Sequence, residues 1–365
     1  MFAINQVFKL GLPQTTLAVL SAAHFSKLLY SRFIFGTGLE PAEITPLLSK
    51  IRSFQRWPLV WSEAAQRKIQ ESSSPNNQVA AAHKLKDAAL FYHYAQVVLG
   101  HDDLELKLSY QRKSQELYRR AAPHFTVPAE RIEIPFQATT LPGYLRQPGE
   151  QAKALVIFLN GASTVKEEFH RLSNVFLSNG YATLAFDDPG VGEAWPRIKG
   201  IVEQEEVAKA VIDHLRQTQP SLPEKTVLFG VSLGGMKALR MAAGEPRITS
   251  VVSVSAPFDS KAYFDHLNPL IKNELAFYLG YPSPRLVKKL AFAASLEETV
   301  KRVTAPVFLA SGSDDTIIPW RDGPRILDGL PWRPENRLFI YDAGHICLDC
   351  IDDVVTDVLV WQAKL

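Results

Sequence analysis

Cysteine is nearly absent: the 365 residues contain two, Cys347 and Cys350. That scarcity excludes a disulfide framework and favours a reducing compartment. An excess of one charge is missing too, since 40 Lys and Arg face 38 Asp and Glu for a formal net charge of +2. Nucleic-acid binders usually present a basic domain or stripe, so no nucleic-acid partner is expected. No apolar run reaches the ~18 residues that a transmembrane helix requires, so no membrane partner is expected either. The short run 17–23 (LAVLSAA) stands behind a single lysine, Lys9, and is followed by His24 and Lys27. A secretory leader needs a basic start and a small-residue cleavage site, so the run reads instead as the start of an amphipathic helix. Internal repeats and long low-complexity tracts are also lacking. A cytoplasmic protein acting on a small molecule is the expectation from these absences.

What is present is a length beyond one usual domain and an ordinary globular composition, 46% hydrophobic and 21% charged. The texture changes near residue 130. Before it, Trp57, Val60, Trp61 and Ala64 recur at helical spacing, as do Ala88, Tyr92, Ala95 and Val98. Gly36, Gly38 and Pro41 interrupt an earlier helical region, and 72–77 reads as a loop. A further helix, capped by Asp102 or Asp103, is expected to end near Pro123. After residue 130, strand, turn and helix alternate. The segments 132–136 and 141–145 read as an antiparallel pair. Short apolar runs at 155–159, 181–186, 227–229, 251–254, 307–310 and 338–341 read as buried parallel strands. The pattern predicts a doubly wound, mostly parallel α/β sheet, with a long aromatic helical insertion at about 261–300.

The most informative stretch is TVLFGVSLGGMKALR, residues 226–240. A strand leads into Gly230-Val231-Ser232-Leu233-Gly234 and an amphipathic helix follows, which is the context that gives a G-x-S-x-G turn meaning. Small residues two before and two after the serine relieve crowding in the turn. Ser232 then stands at a helix N-terminus, where negative charge is favoured. A serine hydroxyl needs a base, and the base needs an orienting group. Downstream strand ends offer both, in the order Ser, acid, His. Asp315 stands three residues after Gly312 and four before Pro319, and is preferred as the acid over Asp314, which fits turn support. His345 follows Gly344 after the last strand and is the candidate base. The expected oxyanion donors are the N–H groups of Leu233 and of Ala162 in the loop Asn160-Gly161-Ala162-Ser163-Thr164.

Two other motifs invite chemistry. The turn Asp187-Asp188-Pro189-Gly190-Val191-Gly192-Glu193 has glycines but no Walker lysine, so it reads as a turn beside the site and not a phosphate cradle. Trp195 next to it reads equally as pocket lining or as a packed anchor. Cys347-Leu348-Asp349-Cys350 has the spacing of a zinc or redox pair. Zinc usually needs a second ligand pair, so no metal is expected and both cysteines are read as buried helix residues.

With these residues in place, the chain resembles an α/β-hydrolase group: FrsA-like esterases, 2,6-dihydroxypseudooxynicotine hydrolase and fungal polyketide-shortening hydrolases. The resemblance covers most of the chain. It rests on the region of Trp57 and Trp61, RIEIPF and LPGYLRQPG (131–149), NGASTVKEEF (160–169), FDDPGVGE (186–193), GVSLGGMKALR (230–240) and the Asp315 and His345 turns. It implies an α/β-hydrolase fold at 129–365, and at 1–128 a helical cap with a role in homodimer contacts. It also implies cofactor-free hydrolysis of an ester or carbon–carbon bond. One departure is that the group commonly carries Gly-Gly and an acidic residue where this chain has Asn160-Gly161-Ala162-Ser163, so substrate contacts there do not carry over. The combined expectation is a serine hydrolase working through an acyl-serine on a bulky, aromatic or polyketide-like substrate. Trp195, Tyr263 and Phe264 are its candidate substrate contacts, with the insertion aromatics reading equally as core. Acyl transfer or lyase chemistry on the same triad, and non-catalytic ligand binding, stay open as alternatives.

Overall fold

In a computed structural model, the described residues are 22–23, 25–27, 29–73, 77–149, 151–195, 197–198, 203–259, 267, 269–280 and 295–365. Most of the run 17–23, the expected contacts Tyr263 and Phe264, and most of the 261–300 insertion lie outside them. The chain divides into two compact units after Glu130.

The first unit is helical. It contains α1 (Pro41–Lys50), α2 (Trp57–Glu71), α3 (Gln78–Gln96) and α4 (Leu104–Ala121). Proline at the start of α1 suits a helical N-terminus, where its missing N–H costs nothing. Trp57 and Trp61 face inward, fully buried, and their rings meet Phe33, Phe91 and Tyr94 at centroid distances of 4.9–6.5 Å. The Trp57 indole N–H donates to the Tyr94 carbonyl at 2.7 Å, so burying that ring leaves no orphan donor. The expected acidic cap of α4 does not form: Asp103 occupies the cap position without a side-chain bond. Asn77, read only as loop, instead caps α3 by accepting from the Ala80 amide at 3.0 Å.

The second unit is an eight-stranded sheet in the order β1-β2-β4-β3-β5-β6-β7-β8. The strands are β1 (Glu130–Phe136), β2 (Thr139–Arg146), β3 (Leu155–Leu159), β4 (Ala182–Phe186), β5 (Thr226–Val231), β6 (Ser250–Val254), β7 (Val307–Gly312) and β8 (Arg337–Tyr341). β2 runs antiparallel to β4, and pairing from β4 through β8 is parallel. Helices α5 (His170–Ser178), α6 (Gln204–Thr218), α7 (Leu233–Gly244), α8 (Pro269–Tyr278) and α9 (Asp322–Gly329) lie in the connections, and α10 (Ile351–Gln362) follows β8.

The continuous apolar runs of β3 to β7 reflect burial on both faces of the sheet. The run 338–341, expected to be buried, instead lies in the edge strand β8, with Phe339 and Ile340 exposed. Leu155, Ile157 and Leu159 pack with Val207, Val211 and Leu239 of α6 and α7. Val156 and Phe158, alternating with them, pack with Phe176 of α5 and Val354 and Val358 of α10. The expected α/β-hydrolase architecture, with helices preceding a mostly parallel doubly wound sheet, is what the chain adopts. Among the described residues no helix is long and apolar enough to cross a membrane. Replacing Trp61 with alanine should lower stability by about 3–5 kcal/mol, as loss of a large buried ring does; urea denaturation followed by tryptophan fluorescence measures it.

Candidate active site

The parallel strands end on one edge, and the carboxyl ends of β5, β7 and β8 carry the three candidate residues. Ser232 leaves β5 with φ +54°, a conformation that costs a non-glycine residue about 1–3 kcal/mol. The surrounding glycines make that turn possible. A Cβ on Gly230 would stand 2.1 Å from the Gly234 carbonyl oxygen, and one on Gly234 would stand 2.2 Å from that of Leu159. Helix α7 therefore begins directly against the end of β3. A Cβ on Gly161 would lie 3.7 Å from the Ser232 Cβ, so the loop bearing Ala162 passes beside the serine.

His345 Nε2 lies 3.1 Å from Ser232 Oγ, and its Nδ1 lies 2.8 Å from Asp315 Oδ2. The other Asp315 oxygen accepts from the Ile317 and Ile318 amides at 2.8 and 2.9 Å. The Asp315 side chain is fully buried. Burial alone would raise its pKa, but His345 and the two amides outweigh burial and hold the carboxyl below its usual range. Asp314 is exposed, and its amide donates to the Ala343 carbonyl at 3.0 Å. The N–H groups of Leu233 and Ala162 have no acceptor among the described residues.

Sequence reasoning missed how the histidine turn is held. Gly312, at the end of β7, carries no side chain because a Cβ there would meet the Gly344 and Ala343 carbonyls at 2.3 and 2.4 Å. Ser255 follows β6 with φ +47°, and its Oγ accepts the Ile346 amide at 3.1 Å. A serine just past a strand is too common a pattern to mark in advance. Ser255→Ala should lower kcat about tenfold through a loosened His345, with KM little changed; steady-state kinetics on an ester substrate tests this.

The cysteine turn is a correction. Ile346 and Cys347 have φ of +55° and +54°, so His345–Cys350 is a kinked turn, and α10 begins only at Ile351. Cys347 is buried but Cys350 is half-exposed, and neither is a helix-interior residue. Burial, with Cys350 and Asp315 nearby, pushes the Cys347 thiol up to about 12. Among the described residues no group of three or more His, Cys, Asp or Glu is arranged to hold a metal ion.

Trp195, half-buried, makes a packing contact. Its ring stacks on Phe277 at 4.1 Å, and its Nε1 donates to the Phe277 carbonyl at 2.9 Å, pinning α8. Phe277 and its neighbour Tyr278 are themselves buried.

The glycine turn after β4 encloses charge. Asp187 accepts the Lys166 and Glu193 amides at 3.0 and 2.9 Å, and a Cβ on Gly192 would collide with its carboxylate. The Lys166 ammonium, wholly buried, contacts Asp187 at 2.6 Å, Glu167 at 2.7 Å and Glu193 at 2.8 Å. Arg131 binds Glu193 through two 2.7 Å bonds. Burial would raise the Glu193 pKa, but the two cations bring it down to about 2. Glu167, for which burial outweighs Lys166, is pushed up to about 7 from an ordinary 4.5. The folded chain thus holds a proton that the unfolded chain releases near 4.5, and stability falls as pH rises from 4.5 to about 7. Glu167→Gln should remove that dependence and be more stable than the parent at pH 8; urea midpoints at pH 5 and pH 8 would show it.

A model described as the alpha/beta hydrolase family matches residues 156–358. The 2,6-dihydropseudooxynicotine hydrolase of Paenarthrobacter nicotinovorans is 31% identical over 292 residues, 79% of this chain and 76% of that protein. A crystal structure of 2,6-dihydroxy-pseudo-oxynicotine hydrolase superposes with a TM-score of 0.81 at 26% identity, covering 90% of this chain and 94% of that one. A hydrolase of Aspergillus flavipes is 31% identical over 184 residues, 44% of this chain and only 40% of the fungal protein. The chain belongs to the alpha/beta hydrolase family. The expected likeness to these bacterial and fungal hydrolases is thereby met.

Proposed function

We propose that the chain is a serine hydrolase that cleaves an ester, or a carbon–carbon bond next to a carbonyl, in a small molecule. The observation that carries this reading is the unbroken line from Asp315 through His345 to Ser232, with links of 2.8 and 3.1 Å. His345 takes the Ser232 proton as Oγ attacks the carbonyl carbon, and Asp315 holds the imidazole in place and stabilises its positive form. The Leu233 and Ala162 amides receive the oxyanion. Collapse of the tetrahedral intermediate breaks the bond to the leaving group, which departs with the proton from His345. Water, deprotonated by His345, then attacks the acyl-serine and releases the acid.

An ester sheds an alkoxide in this scheme. A carbon–carbon substrate must shed a carbanion that a second carbonyl or a phenolic ring can delocalise. A bulky aromatic or polyketide-like substrate is supported by the family resemblance.

The test is a panel of aryl esters and aromatic β-diketones assayed with the parent chain, Ser232→Ala and Asp315→Asn. Ser232→Ala should lose roughly 10,000-fold or more in kcat and all labelling by a fluorophosphonate, and Asp315→Asn roughly 1,000- to 10,000-fold. Full turnover by Ser232→Ala would rule out the mechanism. Labelled oxygen from water should appear in the acid product; its absence would indicate acyl transfer to another acceptor.

A further inference from the structure

Lys237 lies one helical turn beyond Gly234 on the same face of α7, and is 3% exposed. Its ammonium donates to the Asn160 carbonyl at 3.1 Å and pairs closely with Asp188. The same ammonium lies 4.8 Å from the ring centre of Tyr278, the last residue of α8. Asn160 is fully buried, and its side-chain oxygen accepts the Asp188 amide at 3.4 Å. One cation therefore joins the helix behind Ser232, the loop that leads to Ala162, the turn after β4 and the helix of the insertion. Burial would strip its proton, but Asp188 outweighs burial and keeps the amine charged.

A buried ion pair is poor evidence of stabilisation, because an apolar pair of the same volume often does as well. Its value here is geometric. The C=O and N–H of one peptide are fixed trans to each other, so holding the Asn160 oxygen toward Lys237 fixes which way the Gly161 N–H turns. That peptide starts the loop carrying Ala162, and Gly234 leaves the loop no side chain to rest on.

Resting on the serine-hydrolase reading above, we propose that Lys237 is a positioning residue for the oxyanion loop, holding the Asn160 peptide so that the Ala162 amide faces the carbonyl bound at Ser232. Its contact with Tyr278 makes that alignment depend on how the insertion helix is seated.

The experiment compares the parent chain with Lys237→Met combined with Asp188→Asn, which removes the charge pair together, and with Lys237→Gln. Each is assayed with p-nitrophenyl acetate and for inhibition by an aryl trifluoromethyl ketone, whose adduct carries an oxyanion. Loss of alignment should lower kcat by roughly 10- to 100-fold with KM within about threefold, and should weaken the ketone in parallel. A folded variant with parental kcat and ketone affinity would overturn the proposal, as would an equal loss spread over KM. Failure of both variants to fold would assign Lys237 to stability and overturn it as well. Failure of the serine-hydrolase reading shows separately, as a parent chain that a fluorophosphonate does not label at Ser232.

Discussion

At the carboxyl edge of the sheet, backbone meets backbone with no side chain between. Helix α7 starts so close to the end of β3 that the Gly234 Cα faces the Leu159 carbonyl, and the turn after β7 closes on Gly344 through Gly312 in the same way. These approaches hold the serine turn, the loop beside it and the histidine turn in one frame. Side-chain packing sets distances through rotamers that can relax, whereas contact between main chains leaves little to adjust. Ser232 and Ser255 keep their strained backbones because this frame over-determines them. The short links through His345 follow from that rigidity.

Charge is handled the same way. The near-neutral total conceals buried lysines, and two of them in the second unit, Lys166 and Lys237, are each placed where a loop must meet a strand end. Lys166 gathers three carboxylates around one ammonium, and burial, with the two neighbouring carboxylates, raises Glu167 against the pull of that ammonium. Such clusters add little to stability, since desolvation opposes attraction. They do punish a wrong arrangement of the loops, which leaves a buried charge without its partner.

The sheet was legible in the sequence because each parallel strand is a short apolar run, and such runs need no partner to be seen. Ser232, Asp315 and His345 were legible because their order and local frames are one-dimensional signals. The buried lysines were not: a lysine in GGMKALR looks like any lysine on a helix, and only the fold shows that its face is the inner one. The cap of α3 was missed because Asn77 closes an ordinary polar loop, while Asp103 offered a better-looking signal and made no bond. The cysteine pair was misread because helical spacing cannot reveal two left-handed residues, Ile346 and Cys347, which the tether from Ser255 accompanies.

The Trp195–Phe277 stack has a consequence for how such a chain can be re-engineered. The indole grips α8 through a ring face and a main-chain carbonyl, and the carbonyl half of that grip does not depend on which side chain stands at 277. Side chains of α8 can therefore be varied while that helix stays registered to the turn after β4. A combinatorial library confined to α8 would leave untouched the glycine contacts that no substitution can replace.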